Sequence, residues 1–147
     1  MTNPDVKQHL IPSIEELPRS ECLNLLATAS IGRVGLLVDG RPEILPVNYA
    51  LDGDTILFRT AEGTALNQAS MTVVAFEVDQ IHPETQSGWS VLLQGLAYDI
   101  GDTIDATSER LRQLSLNTWA PGGRQRWFQV RPDKITGRRI RSLPDSL

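Results

Sequence analysis

The sequence predicts a mainly β fold, an antiparallel barrel of six to seven strands with flanking helices. Three observations carry the prediction. Apolar runs of strand length recur along the chain and are parted by tight-turn signals such as Asp39-Gly40 and Asp52-Gly53-Asp54. Helical runs are too few to supply the crossovers that a parallel sheet needs. Pro46 interrupts one of the β runs; because proline donates nothing to a ladder, it requires an edge, a bulge or a barrel corner.

Residues 1–18 contain three prolines and little periodicity, so 1–19 is expected to be an arm lying over the surface or a partner. "SECLNLLATA" at 20–29 reads as a helix. Ser20 is its expected N-cap, Glu21 favours the first turn, and Cys22, Leu25, Leu26 and Ala29 form the apolar stripe. The period then changes. "IGRVGLLV" at 31–38, "EILPVNYAL" at 43–51 and "TILFRT" at 55–60 read as a meander of three strands. A short helix is expected at 64–70, a fourth strand at 72–79, a loop at 80–88 and a long fifth strand at 89–100, where Gly95 marks a bulge or bend. A helix near 103–116 and a loop at 117–124 precede "RWFQVRP" at 126–132, the sixth strand; "KITGRRIRS" at 134–142 is a seventh or its extension. One domain spans 20–142, and 143–147 is a tail.

Composition narrows the function. The net charge is −4 with both signs interspersed, unlike the basic excess of nucleic-acid binders. An oligonucleotide-binding barrel would also want an aromatic stripe with interleaved lysines, which is missing from the sequence. One cysteine, Cys22, permits no intrachain disulfide. With two histidines, His9 and His82, lacking metal-like neighbours, no zinc site is expected. No run is long and apolar enough for a membrane span, and the first residues do not read as a signal peptide, so a cytoplasmic protein is expected. The sequence holds no G-x-S-x-G hydrolase motif, and His82 and Ser90 do not suggest one.

The densest chemistry sits in "LFRTAEGTALNQ" at 57–68. Arg59 offers a planar fork of donors that matches phosphate. Thr60 and Thr64 add hydroxyls, and Gly63 lets a ligand approach the backbone. With Thr64 capping the next helix, free N–H groups would point at the same spot, an anion site. The same residues also fit a solvated arginine followed by an ordinary cap. Trp89, Trp119 and Trp127 supply aromatic area; Trp119 lies in a Pro-Gly loop, where burial needs a ligand or a partner surface. Arg124, Arg126, Arg131, Arg138, Arg139 and Arg141 form a basic tail, read either as a second anion site or as a solvated face with salt bridges.

The order "PVNY", "FRTAEGT", "GWSV", "WAPGGRQRWFQV" and "ITGRRI" resembles the pyridoxamine 5′-phosphate oxidase-like superfamily, in the branch related to nitroimidazole-resistance proteins. The resemblance covers roughly 20–141. It implies a flavin-binding split β-barrel of Greek-key type and a homodimer with two flavin sites at its interface. Pro46-Val47-Asn48 would pass the isoalloxazine ring, Arg59, Thr60, Gly63, Thr64 and Ala65 would surround the phosphate, Trp89-Ser90 would reach the ring or ribityl chain, and Trp119 would close the site from the other subunit. The implied function is a flavin-dependent oxidoreductase acting on a small molecule, with FMN as cofactor and no general acid or base assigned. F420-dependent reduction, or non-catalytic flavin or haem binding, are the alternatives. Ala65 departs from the family pattern, in which many relatives carry lysine. Losing that charge-assisted hydrogen bond costs about 1.5–3 kcal/mol, roughly ten- to hundredfold in affinity.

Overall fold

A computed structural model describes residues 10–61, 68–101 and 125–144 of the chain. Among the described residues the elements are β1 (Leu10–Glu16), α1 (Arg19–Leu26), β2 (Ile31–Val38), β3 (Arg41–Asp52), β4 (Thr55–Ala61), β5 (Val73–His82), β6 (Ser87–Asp99) and β7 (Gln125–Pro144). All strand pairs are antiparallel. The order is β1-β7-β4-β3-β2-β5-β6, and β6 also pairs with β7, which closes a barrel. Strand β5 returns beside β2 after the β2–β4 meander, the Greek-key arrangement.

Turn chemistry makes the meander. Asp39 and Gly40 both have positive φ, 51° and 77°, the pattern of a two-residue hairpin whose twist matches its strands. Alternation then sends Val34, Val47, Tyr49, Ile56 and Phe58 inward. Phe58 stacks on Phe128 at 5.6 Å, and Tyr49 meets Phe76 edge-on at 4.9 Å. Each fully buried phenylalanine contributes roughly 1.5–3 kcal/mol of transfer free energy.

Helix α1 covers part of this core with Cys22 and Leu26, both fully buried. The Tyr49 hydroxyl donates to the Leu26 carbonyl at 2.5 Å, satisfying one of the acceptors a helix end leaves open. Burial pushes this phenol up to about 12. The expected N-cap is corrected: Pro18 occupies the cap without a side-chain bond, and Ser20 lies inside the helix. Proline suits an extended cap conformation, so the cap lies two residues earlier than the Ser20 signal suggested.

Three further expectations change. Residues 10–16 of the expected arm form β1, which adds to β7 from Leu10↔Pro144 to Glu16↔Arg138. The expected loop at 80–88 is mostly strand: β5 and β6 pair out to His82↔Ser87, and a turn occupies 83–86. The sixth and seventh strands are one 20-residue strand, β7. Its edge serves β4 near one end and β1 near the other, while β6 lines its opposite edge. Gly95 sits at the expected bulge; a Cβ there would lie 2.0 Å from the Arg131 carbonyl oxygen. Most of the helix expected at 64–70, the helix at 103–116 and the loop at 117–124 lie outside the described residues. Of the first, Ala69 is buried and its carbonyl accepts from the Thr72 N–H at 3.0 Å.

One joint of the barrel is thin. Strands β2 and β5 share three rungs, Arg33↔Glu77, Val34↔Phe76 and Gly35↔Ala75. Arg33 reinforces the joint from outside: its Nη1 donates to Asp79 Oδ2 at 3.1 Å and lies 3.4 Å from Glu77 Oε2. Burial, followed by the hydrogen bond and charge of Asp79, pushes the Glu77 carboxyl up to about 7.

Candidate functional site

Strands β3 and β4 are joined by a tight turn and pair as far as Tyr49↔Phe58. Beyond that rung they take different partners. Ile31, Gly32 and Arg33 of β2 pair with Asn48, Val47 and Pro46. Arg59, Thr60 and Ala61 of β4 pair with Trp127, Arg126 and Gln125 of β7. The sheet therefore forks where the sequence concentrates its site residues. Pro46 suits this edge, because no N–H has to be satisfied there.

Alternation sorts the side chains at the fork. Val47 is buried in the core, so Pro46 and Asn48 belong to the outer face. Phe58 is likewise core, so Arg59 is on the outer face of β4. Its Nε is buried, and its Cζ lies 4.9 Å from the centroid of the Trp127 ring. A guanidinium over an indole face gains about 0.5–1 kcal/mol, or more when desolvated. The sequence reading used Trp127 only as aromatic area. Its ladder pairing with Arg59 is the signal that makes it part of the site.

The same outer face carries a small apolar cluster of Leu57, Ile100, Tyr98 and Trp127. Gln129, paired with Leu57 and Tyr98, is 5% exposed, and its Oε1 has no hydrogen-bond partner among the described residues. A buried acceptor left open costs about 1–3 kcal/mol, so it matches a ligand donor. Arg126 is committed elsewhere, to an ion pair with Asp99, whose Oδ1 also accepts from the Gly101 N–H at 2.9 Å.

Trp89 and Ser90 are not at the fork. They lie on β6, and β2 and β5 stand between β6 and β3 in the sheet order. Trp89 is buried, donating from Nε1 to Gln80 Oε1 at 3.3 Å. It and Ser90 line a separate hollow of about 300 Å³ against Arg138 and Ile140. Gly63, Thr64, Ala65 and Trp119 lie outside the described residues, as does the side chain of Thr60. The structure thus brings Pro46, Val47, Asn48 and Arg59 to one fork and separates them from Trp89-Ser90. Among the described residues no cluster of three or more His, Cys, Asp or Glu could hold a metal. No described helix is long and apolar enough to cross a membrane.

Comparison with known proteins places this architecture. Residues 18–139 match the family described as pyridoxamine 5′-phosphate oxidase. The protein Rv0080 of Mycobacterium tuberculosis is 31% identical over 133 residues, covering 86% of each chain. The structure of the FAD binding protein from Mycobacterium smegmatis superposes with a TM-score of 0.72 at 34% identity, covering 86% of this chain and 97% of that one. An FAD-binding protein from Mesorhizobium loti, at 20% identity and a TM-score of 0.69, covers 88% of this chain and 98% of its own and shares the fold. With a barrel of the expected class and a family match over most of its length, the chain belongs to the pyridoxamine 5′-phosphate oxidase family.

Proposed function

We propose that this protein is a flavin-dependent oxidoreductase that binds the flavin mononucleotide portion of its cofactor at the β3–β4 fork, with FMN as the simplest flavin the residues address. The observation that carries the reading is Arg59, a fork of donors held over Trp127 at the point where two strands part. The residues fit the group. The guanidinium suits a phosphate, the parted strands offer backbone polar groups, and the buried Gln129 carbonyl oxygen suits a ligand donor. Relatedness to the FAD binding protein of Mycobacterium smegmatis supports a flavin; FAD contains the same mononucleotide portion as FMN.

A bound flavin supplies hydride or electron transfer. The chain's own residues bind and orient it. Arg59 neutralises the anionic end, and the Pro46–Asn48 edge lies beside the ring end. Ala65 contributes no charge, which leaves Arg59 and backbone amides to hold the phosphate. The reading includes a homodimer. Two strands separate Trp89 and Ser90 from Asn48 in the sheet order, so a second copy is the simplest way to bring both groups to one flavin.

The test is direct. Protein purified with its natural flavin, or loaded with FMN or FAD, is titrated and the released flavin is identified by chromatography. Light scattering on the same sample gives the oligomeric state. The reading requires flavin binding that Arg59→Gln weakens. A protein that binds neither FMN nor FAD ends it, and a flavin-loaded monomer removes the shared site.

A further inference from the structure

The hollow on the β5–β6–β7 face is built differently from the fork. Its about 300 Å³ are lined by Ile81, Pro83, Trp89 and Ile140, with Ser90 and Arg138 among its polar groups. The register explains the shape. Ile81, Gly88 and Ile140 are ladder partners across three strands, so two isoleucines flank a residue without a side chain. A Cβ at Gly88 would lie 2.4 Å from the Gln80 carbonyl oxygen. The gap is therefore built into the backbone approach of β5 to β6. Ile81 and Ile140 are 61% and 41% exposed, so the gap between them is open to solvent.

Charge supplies the second half of the argument. Of the arginines on β7, Arg126 pairs with Asp99, Arg131 lies over Tyr98 at 5.6 Å, Arg139 pairs with Glu21 at 2.5 Å, and Arg141 is not part of the hollow's lining. The Arg138 guanidinium, in the hollow, makes no ion pair or hydrogen bond among the described residues. Glu16 is its ladder partner on β1 but forms no ion pair with it. Asp79, on the far side of Ser90, is engaged by Arg33. A lone guanidinium beside an apolar hollow selects a ligand with an anionic end and an apolar body. The volume is at the lower end of the roughly 300–1,000 Å³ of small-molecule sites, enough for a body of one or two rings.

We infer that this hollow binds a small apolar organic acid, its carboxylate held by Arg138 and its body between Ile81 and Ile140, and that such acids are the substrate class of the enzyme. The substrate role rests on the flavin reading above, because Trp89 and Ser90 line this hollow; the binding itself does not.

The experiment is calorimetric titration of the flavin-loaded protein, and of the flavin-stripped protein, with 1-naphthoate and with neutral 1-naphthamide. Wild type is expected to bind naphthoate about tenfold or more tightly than the amide, and Arg138→Gln to lose that difference. The visible flavin spectrum is recorded on each sample. Normal flavin loading with no naphthoate binding, or with equal binding by wild type and Arg138→Gln, overturns this inference and leaves the flavin reading standing. Naphthoate binding by a protein that takes up no flavin overturns the substrate role along with the flavin reading.

Discussion

The guanidinium of Arg59 lies over the indole of Trp127, its Cζ 4.9 Å from the ring centroid, and the two residues are rungs of the same β4–β7 ladder. The strand pairing therefore fixes the direction of the cation, and Trp127 packs against it. Arg59→Gln is expected to weaken flavin binding by about ten- to hundredfold, the cost of a charge-assisted hydrogen bond. Trp127→Leu keeps the cation but removes its platform, and is expected to cost about two- to fivefold, equivalent to about 0.5–1 kcal/mol. Quenching of flavin fluorescence on titration measures both. A Trp127→Leu protein with unchanged affinity would show that the stack does not position Arg59 for the cofactor.

By the resemblance read from the sequence, Ala65 takes the place of a lysine carried by many relatives. Ala65→Lys is expected to tighten flavin binding by about tenfold or more, as a new charge-assisted contact should. Equal or weaker affinity, with the variant's thermal unfolding unchanged, would put the phosphate somewhere other than beside residue 65.

The joint between β2 and β5 carries a pH dependence. Burial and Asp79 raise the Glu77 carboxyl to about 7 from an ordinary 4.5. The folded state thus holds a proton that the unfolded chain releases between those values. The contribution to stability is fully present below about pH 4.5 and fades as pH rises through about 7. A Glu77→Gln variant, which keeps a hydrogen-bond donor toward Asp79 at every pH, should lose less melting temperature than wild type between acid and mildly alkaline buffer. Parallel melting curves for the two proteins across that range would contradict the raised Glu77 carboxyl.

Gly95 tolerates no side chain. Its Cβ would overlap the Arg131 carbonyl oxygen and approach Pro132 Cα to 2.9 Å. Both are backbone atoms, so the strand pair itself must move. Gly95→Ala is expected to destabilise the barrel by about 1–3 kcal/mol, about 2–12 °C in melting temperature for a chain of this size. A variant melting at the wild-type temperature would show that the bulge at Gln94/Gly95 is adjustable.

Much of this architecture was legible in the sequence because the informative residues act locally. Asp39-Gly40 and Asp52-Gly53 announce their turns, and alternating apolar residues in β2, β4 and β5 announce their buried faces. Strand β1 gave no such signal. Ile11 and Ile14 are both largely exposed, so an edge strand held by backbone pairing has no alternation to display. The 80–88 segment misled for a related reason. Gln80 to Gln86 are exposed, and a hairpin reaching past the core has no buried face to set an alternation. At the site, Arg59 and the Pro46–Asn48 run were readable by residue type. The Arg59–Trp127 stack was not, since the two residues are far apart in sequence and meet only through the register of β4 on β7.

A ring of strands is only as closed as its shortest seam. Three rungs and one arginine hold β2 to β5, whereas β5 and β6 zip along ten. Amide protons there should exchange with solvent sooner than those elsewhere in the cylinder, and a chain that unrolls would do so along this line. The ribbon so released, β7-β4-β3-β2, would present the β2 edge bare, a template on which another copy could lay its own β5.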